Sequence, residues 1–225
     1  MQFFIESVTL EIVDLSHPLH TGMQVYPGDP QVVIEPILHA ETDWVNVLSV
    51  HMGSQSGTHI DSPFHVLNEL ATLDQIPLQR FIGPWVLVDA TGLAPRSPIP
   101  HERFTQQNYD AGSIVLIRTD WSKHFGSSEY LAHPYPTLES LEYLLERGVR
   151  TIALDFLSLD MTPENSADAK LDNHYLWSRA DGVIGENFTN FASLTNATPF
   201  ISLLPLNMGA SDGGPVRAVA ISSLD

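Results

Sequence analysis

"SIVLIRTDW", residues 113–121, decides the fold class. Its first half is a nearly continuous apolar run with no alternation, which suits a strand buried on both faces. "GPWVLVDATG" (83–92) has the same character and lies between glycines. Further along, "TLESLEYLLERG" (137–148) changes the period. Leu138, Leu141, Leu144 and Leu145 make one apolar face, Thr137 can cap the N-terminus and Gly148 ends the helix. "VRTIALDF" (149–156) then returns to a buried strand. Upstream, "VTLEIVDLS" (8–16), "VVIEPILH" (32–39) and "VNVLSVHMG" (45–53) read as strands, and "VRAVAIS" (216–222) as a last one. "WSRADGVIGENFTNFASL" fits no single period. Strands outnumber helices, so the expectation is one α/β domain over residues 1–225 with a strand-rich core.

Composition narrows the function. The 225 residues carry 10 Lys and Arg against 27 Asp and Glu, a formal charge of −17. Such a surface repels phosphate backbones and anionic membranes, so neither nucleic acid nor membrane is an expected partner. There is no cysteine, which excludes disulfides and thiolate zinc sites. Any metal must be held by His, carboxylate or amide oxygen. "MQFFIESVTLEIVDL" lacks a basic start and does not read as a signal peptide. No apolar run approaches the ~20 residues that span a bilayer. A cytoplasmic protein acting on a small molecule is the expectation.

"GSQSGTHIDSPFH" (53–65) carries the chemistry. If residues 55–61 are extended, Gln55, Gly57, His59 and Asp61 share one face. Side chains so placed can converge on one ion, and Gly57, without a Cβ, leaves space before it. Pro63 cannot donate to a ladder, so the strand ends there and a loop can aim His65 into the same pocket. The bland alternative is a satisfied core histidine. His51 lies on the same face but too far along to share the ion, which favours a supporting role. His17 reads as a turn residue; His20, His39, His101, His124 and His133 read as surface or loop. His174 and Glu186, in "NHYLWSRADGVIGENF", form a second candidate cluster, but nothing in their spacing forces them together.

"SGTHIDSPFH" resembles the His-x-Gly-Thr-His-x-Asp-x-Pro-x-His signature of the metal-dependent cyclase-like hydrolases, a family that includes bacterial kynurenine formamidase and isatin hydrolase. "DLSHPLHTGMQVYPGDP", "VLIRTDWSKHFG", "LLERGVRTIALDFLSLD", "NHYLW…GVIGENFTNF" and "LLPLNMGASDGGPVRAVAI" are similar to its other blocks, in order. The resemblance implies a swivelling β/β/α-type fold, a homodimer or higher homo-oligomer, a divalent metal (Zn2+ or Mn2+), and hydrolysis of an amide or related C–N bond. By the same resemblance His59, Asp61, His174 and Glu186 are metal ligands and His65 is the proton-transfer histidine. Tyr26 lines the substrate pocket, and Asp160 is structural. Aromatic Phe64 and Trp177 join Tyr26 as hints of a flat substrate, with core packing as the alternative for each.

One position departs from the signature. Its first histidine is Gln55 here. Glutamine offers a neutral carbonyl oxygen, a weaker ligand for zinc, so one ion is favoured over two. Two other readings stay open: a lyase or cyclase acting through an enolate, and a metal-dependent binding protein without turnover. Retention of His65 and both ligand pairs favours chemistry over binding.

Overall fold

The computed structural model describes residues 10–165, 168–194 and 200–223. The strands are β1 (Leu10–Asp14), β2 (Val33–Leu38), β3 (Val47–His51), β4 (His59–Asp61), β5 (Ile82–Asp89), β6 (Pro98–Ile99), β7 (Ile114–Arg118), β8 (Tyr135–Pro136), β9 (Thr151–Leu154), β10 (Val183–Glu186), β11 (Phe200–Ser202), β12 (Gly213–Pro215) and β13 (Val219–Ser223). The helices are α1 (Ala40–Asp43), α2 (Glu102–Thr105), α3 (Leu138–Glu146) and α4 (Asp172–Arg179). Residues 1–9, which hold the start of the first expected strand and the stretch read against a leader, lie outside the described residues. Among the described residues no helix is long and apolar enough to cross a membrane.

Nine strands form one mixed sheet in the order β1-β13-β11-β5-β7-β9-β10-β4-β12. Its centre, β5-β7-β9-β10, is parallel. This accounts for the unbroken apolar runs, because both faces of these strands are covered. Successive residues of β7 feed two cores. Val115 and Ile117 pack with Leu141, Leu144 and Trp177 on the helical face, while Ile114 and Leu116 pack with Phe81, Trp85 and Phe188 on the other. The fold class is α/β, as the sequence indicates.

Helix α3 is capped as its sequence requires: the Thr137 hydroxyl accepts from the Ser140 N–H, and Gly148 follows in a left-handed conformation (φ +81°). Its apolar face is narrower than the leucine pattern implies, since Leu138 is exposed while Leu141 and Leu144 are fully buried. Among the described residues, strands β2 and β3 pair only with each other, in a separate two-stranded ribbon. His51 ends that ribbon, exposed and on a different sheet from His59. It therefore does not share the face of the site, contrary to the extended-strand expectation.

Candidate metal centre

The centre is built around β4, three residues fully buried between β10 and β12. His59 and Asp61 alternate, so both side chains leave the same face. The register puts His59 directly opposite Glu186 on β10, close enough for side-chain contact across the strands. His59 Nε2 lies 3.3 Å from Asp61 Oδ1 and 3.6 Å from Glu186 Oε2. His59, Asp61 and Glu186 each offer a ligand atom within 4.8 Å of the others.

His174, on the first turn of α4, enters from the side. Its Nε2 is 3.7 Å from Asp61 Oδ2 and 3.4 Å from Glu186 Oε1. Asp160 sets this approach. Its carboxylate accepts from the backbone N–H groups of Asn173 and His174, replacing a side-chain cap that α4 lacks, and from His174 Nδ1 at 2.6 Å. Engaging Nδ1 leaves Nε2 free to ligate, a common support for metal-binding histidines. His59 is held likewise, with Nδ1 2.9 Å from the Gly57 carbonyl. That carbonyl is fixed in turn by the Asn187 amide, whose oxygen accepts from the Tyr130 hydroxyl.

Gly57 does not have the role its missing Cβ first indicates. It is left-handed (φ +66°), and a Cβ there would come within 2.7 Å of Leu19 Cδ2. It turns the chain under Leu19 and Met23 and leaves no open space for an ion. The same turn breaks the extended run expected over 55–61. Gln55 therefore reaches the pocket from a loop, and its amide N–H donates to Asp212 Oδ2 at 2.8 Å, with His65 Nδ1 at 3.1 Å. Gly213 makes room for it, since a Cβ would lie 2.6 Å from that amide nitrogen.

Pro63 opens a 3-10 turn, Pro63–His65, immediately past β4. The turn turns His65 toward the same pocket, where Nδ1 lies 3.2 Å from Asp212 Oδ2 and the ring centroid lies 6.0 Å from that of His174. Tyr26, Asp29, Gln55, His65 and the four centre residues line a cavity of about 240 Å3. Phe64 is half-buried in the turn and is not among the lining residues. Trp177 is fully buried in the core.

The electrostatics match an ion site. Burial works against charge on His59, but the hydrogen bond and charge of Asp61, with the charge of Glu186, outweigh it and raise its pKa to about 9. His174 is pushed well up against the same burial, chiefly by its bonds to Asp160, Asp61 and Glu186. Burial would raise the Asp61 carboxyl, yet the charge of His65 and its contacts with His174 and His59 hold it far below the usual carboxylate range. Two buried carboxylates are thus gathered with no Lys or Arg among the residues lining the cavity. Asp61 Oδ1 is buried, and beyond its contact with His59 Nε2 at 3.3 Å no donor reaches it. A buried anionic oxygen in that state is costly. A divalent cation ligated by two imidazoles and two carboxylates removes the cost, so the residues present fit a metal.

Residues 13–161 match the model of a family described as putative cyclase. The chain belongs to that family. A curated relative, kynurenine formamidase of Bacillus cereus, is 30% identical over 94% of this chain and 97% of its own. The kynurenine formamidase of Bacillus anthracis is 28% identical with the same coverage. Among solved structures, isatin hydrolase A of Labrenzia aggregata superposes with a TM-score of 0.86 at 24% identity, covering 95% of this chain and 94% of that one. Isatin hydrolase A of Ralstonia solanacearum gives 0.82 at 25%, covering 95% and 92%. The cyclase fold expected from the sequence is confirmed by these superpositions.

Two residues that matter to this cyclase-family site escape a local reading of the sequence. Asp212 lies 147 residues from His65, inside "GASDGGPV", and only the block resemblance touches it. Asn187 directly follows Glu186, and its left-handed φ of +59° is not visible in composition. His133, read as a loop residue, is buried. It is held between the Pro134 carbonyl and the Thr162 hydroxyl, and burial, outweighing the carbonyl's pull, takes its pKa down to about 4.

Proposed function

We propose that this chain hydrolyses an amide or cyclic C–N bond in a small aromatic substrate of the arylformamide or isatin class, as a single domain. The convergence of two imidazole Nε2 atoms on two buried carboxylates carries this reading. Near-full-length likeness to kynurenine formamidase supports the reaction class. His59, Asp61, His174 and Glu186 hold the divalent ion, Zn2+ or Mn2+. When bound, it polarises the scissile carbonyl and lowers the pKa of a bound water toward ~7. A single ion is favoured because Gln55 stands where the family signature has a histidine, its amide nitrogen donates to Asp212, and its carbonyl oxygen is a weaker ligand for zinc.

The chain's own residues supply the proton chemistry. His65 borders the cavity outside the ligand cluster, takes a proton from the attacking water and returns it to the leaving nitrogen. Asp212 accepts from His65 Nδ1, so Nε2 is the atom that exchanges the proton. Ser54 and Gln55 fix the other approaches to that carboxylate. The Tyr26 ring forms part of the cavity wall, against which a flat substrate can lie. The enzyme works in the cytoplasm as a homodimer or higher homo-oligomer.

The decisive experiment pairs elemental analysis with assays on an N-formylarylamine and on isatin. The parent should carry a divalent metal and hydrolyse one of the two. His59→Ala and His174→Ala should lose both ion and turnover, each being a primary ligand. Full metal content in His174→Ala would break the pairing of the two segments. A metal-replete parent inert toward both probes would overturn the substrate class.

A further inference from the structure

Three carboxylates line the cavity of about 240 Å3 in front of the centre: Asp29, Asp61 and Glu186. Two of them are engaged. Asp61 faces the imidazoles of His59 and His174, and Glu186 faces the same pair and accepts from the Leu159 N–H. Asp29 differs. Among the described residues its carboxylate has no hydrogen bond or ion pair.

The turn that carries Asp29 accounts for this. Pro27 and Gly28 form its corner, closed by the Asp29 N–H donating to the Tyr26 carbonyl at 3.0 Å, with Gly28 at φ +105°. Pro then Gly at these positions suits a type II turn. Pro30, next in the chain, has no N–H to offer the carboxylate. It also packs against Gly53, where a Cβ would lie 3.2 Å from its ring. Two prolines thus fix a half-buried carboxylate in the cavity wall, beside the Tyr26 ring. Burial raises the Asp29 carboxyl pKa, and the charges of His59 and His65 oppose that rise. Asp29 therefore faces these two imidazoles across one small space. A substrate with its carbonyl at the centre and its leaving nitrogen at His65 holds its N–H in that space. Asp61 and Glu186 belong to the cation site, which leaves Asp29 as the carboxylate to accept it.

We propose that Asp29 accepts a hydrogen bond from the N–H of the scissile C–N bond, so that the site takes secondary aryl amides and N-unsubstituted lactams and rejects their N-alkyl counterparts. This rests on the hydrolase reading above and names what the substrate nitrogen must carry. Asp29 takes no proton. His65 protonates the nitrogen, the C–N bond breaks with its electron pair going to nitrogen, and the N–H that faces Asp29 stays on the departing amine. Protonation makes that N–H a stronger donor, so the bond tightens as the C–N bond breaks and contributes to the rate. An N-methyl group would leave the waiting carboxylate unpaired, which is how such sites reject an analogue.

Calorimetric binding of oxindole and N-methyloxindole, lactams without the activating ketone of isatin, to the zinc-loaded protein tests this without turnover. The parent should bind oxindole ~10-fold more tightly, the scale of one hydrogen bond to a charged group. Asp29→Ala should bring the two affinities together, with metal content unchanged. Asp29→Asn keeps a neutral acceptor of about half the strength and should show a ratio of ~3-fold. A parent that binds neither lactam, or both equally, overturns the proposal. So does a preference that survives in Asp29→Ala or, should that variant fail to fold, one as large in Asp29→Asn as in the parent. The two readings fail separately. The oxindole preference in a protein inert toward isatin and N-formylarylamines overturns the hydrolase reading and keeps the role of Asp29 in recognition. Equal kcat/KM on isatin and N-methylisatin overturns the role of Asp29 and keeps the hydrolase.

Discussion

The metal centre and the β2–β3 ribbon lack opposite things. At the centre, polar groups are buried and nearly every one is held: His59 by Gly57, His174 by Asp160, Glu186 by the Leu159 N–H. The centre's buried carboxylates face imidazoles and no Lys or Arg, the donor set of a cation site. On the ribbon, seven large apolar side chains between Val33 and Val50 are exposed, and among the described residues its two strands pair with each other alone. What is missing there is apolar surface. Burial is costly for the first set and exposure for the second. The two differ in strength as well, since an ion in low dielectric interacts far more strongly than a methyl group in contact. Disruption at the centre should therefore act on chemistry, and substitution on the ribbon should leave that chemistry in place.

The sharpest break of this contrast within the site separates His65 from the ligands. His65 is partly exposed, its side chain 30% accessible, and burial opposes its charge, while Asp61 and Asp212 raise its pKa. Its atoms face Asp212 and Gln55. His65→Ala should lose ~10²–10⁴-fold in rate, the usual scale of general acid–base help, and keep its ion. Asp212→Asn should lose rate by a smaller factor with KM unchanged, because it orients His65 and touches no substrate atom. Metal loss in His65→Ala, by elemental analysis, would make it a ligand and require another base.

What the sequence disclosed follows from range. His59 and Asp61 are two residues apart, and strand alternation together with Pro63 fixes where they point, so both are readable. The parallel centre is readable because burial on both faces leaves no polar residue in β7 before Arg118. Gln55 was misplaced because the left-handed turn at Gly57 is set by Leu19, distant in sequence. The meeting of His174 with Asp61 depends on Asp160 holding the start of α4, a contact no local pattern encodes. Short strands such as β12, "GGP", exist only through their pairing with β4. The ribbon was recognised as strands, but alternation cannot say what covers a face. His133, in "AHPYP", looks like a loop residue because prolines flank it, yet it stacks on Phe156 in the core.

His133 sharpens the comparison from a third place. It is as buried as His59, at 1% against 3% exposure, but has no carboxylate ligand beside it. Burial takes His133 down to about 4 where Asp61 and Glu186 take His59 up to about 9. Since the folded pKa lies below the unfolded value, the unfolded chain binds the extra proton. Stability is full above pH ~6.5 and falls as pH drops toward 4, by at most about 3 kcal/mol. His133→Asn should cost stability at neutral pH and lose part of that disadvantage by pH 4.5. Denaturant unfolding of both proteins across this window measures the difference, and a pH-independent gap would show that His133 accepts its proton in the fold.

The smallest expected effect tests the contrast most directly, because one substitution is placed in both environments. Val115, on β7, is fully buried, and Val50, on the ribbon, is 52% exposed. Valine to threonine keeps shape and adds a hydroxyl. In the core that hydroxyl finds no water, and Val115→Thr should cost ~1–3 kcal/mol at any protein concentration. On the ribbon of a dilute monomer the hydroxyl stays hydrated, and Val50→Thr should fall within about 0.5 kcal/mol of the parent. The cost of Val115→Thr should therefore exceed that of Val50→Thr several-fold. Unfolding curves of both variants, at low and high protein concentration, read the difference. A large, concentration-independent cost at Val50 would mean that the ribbon's apolar face is already covered within a single chain.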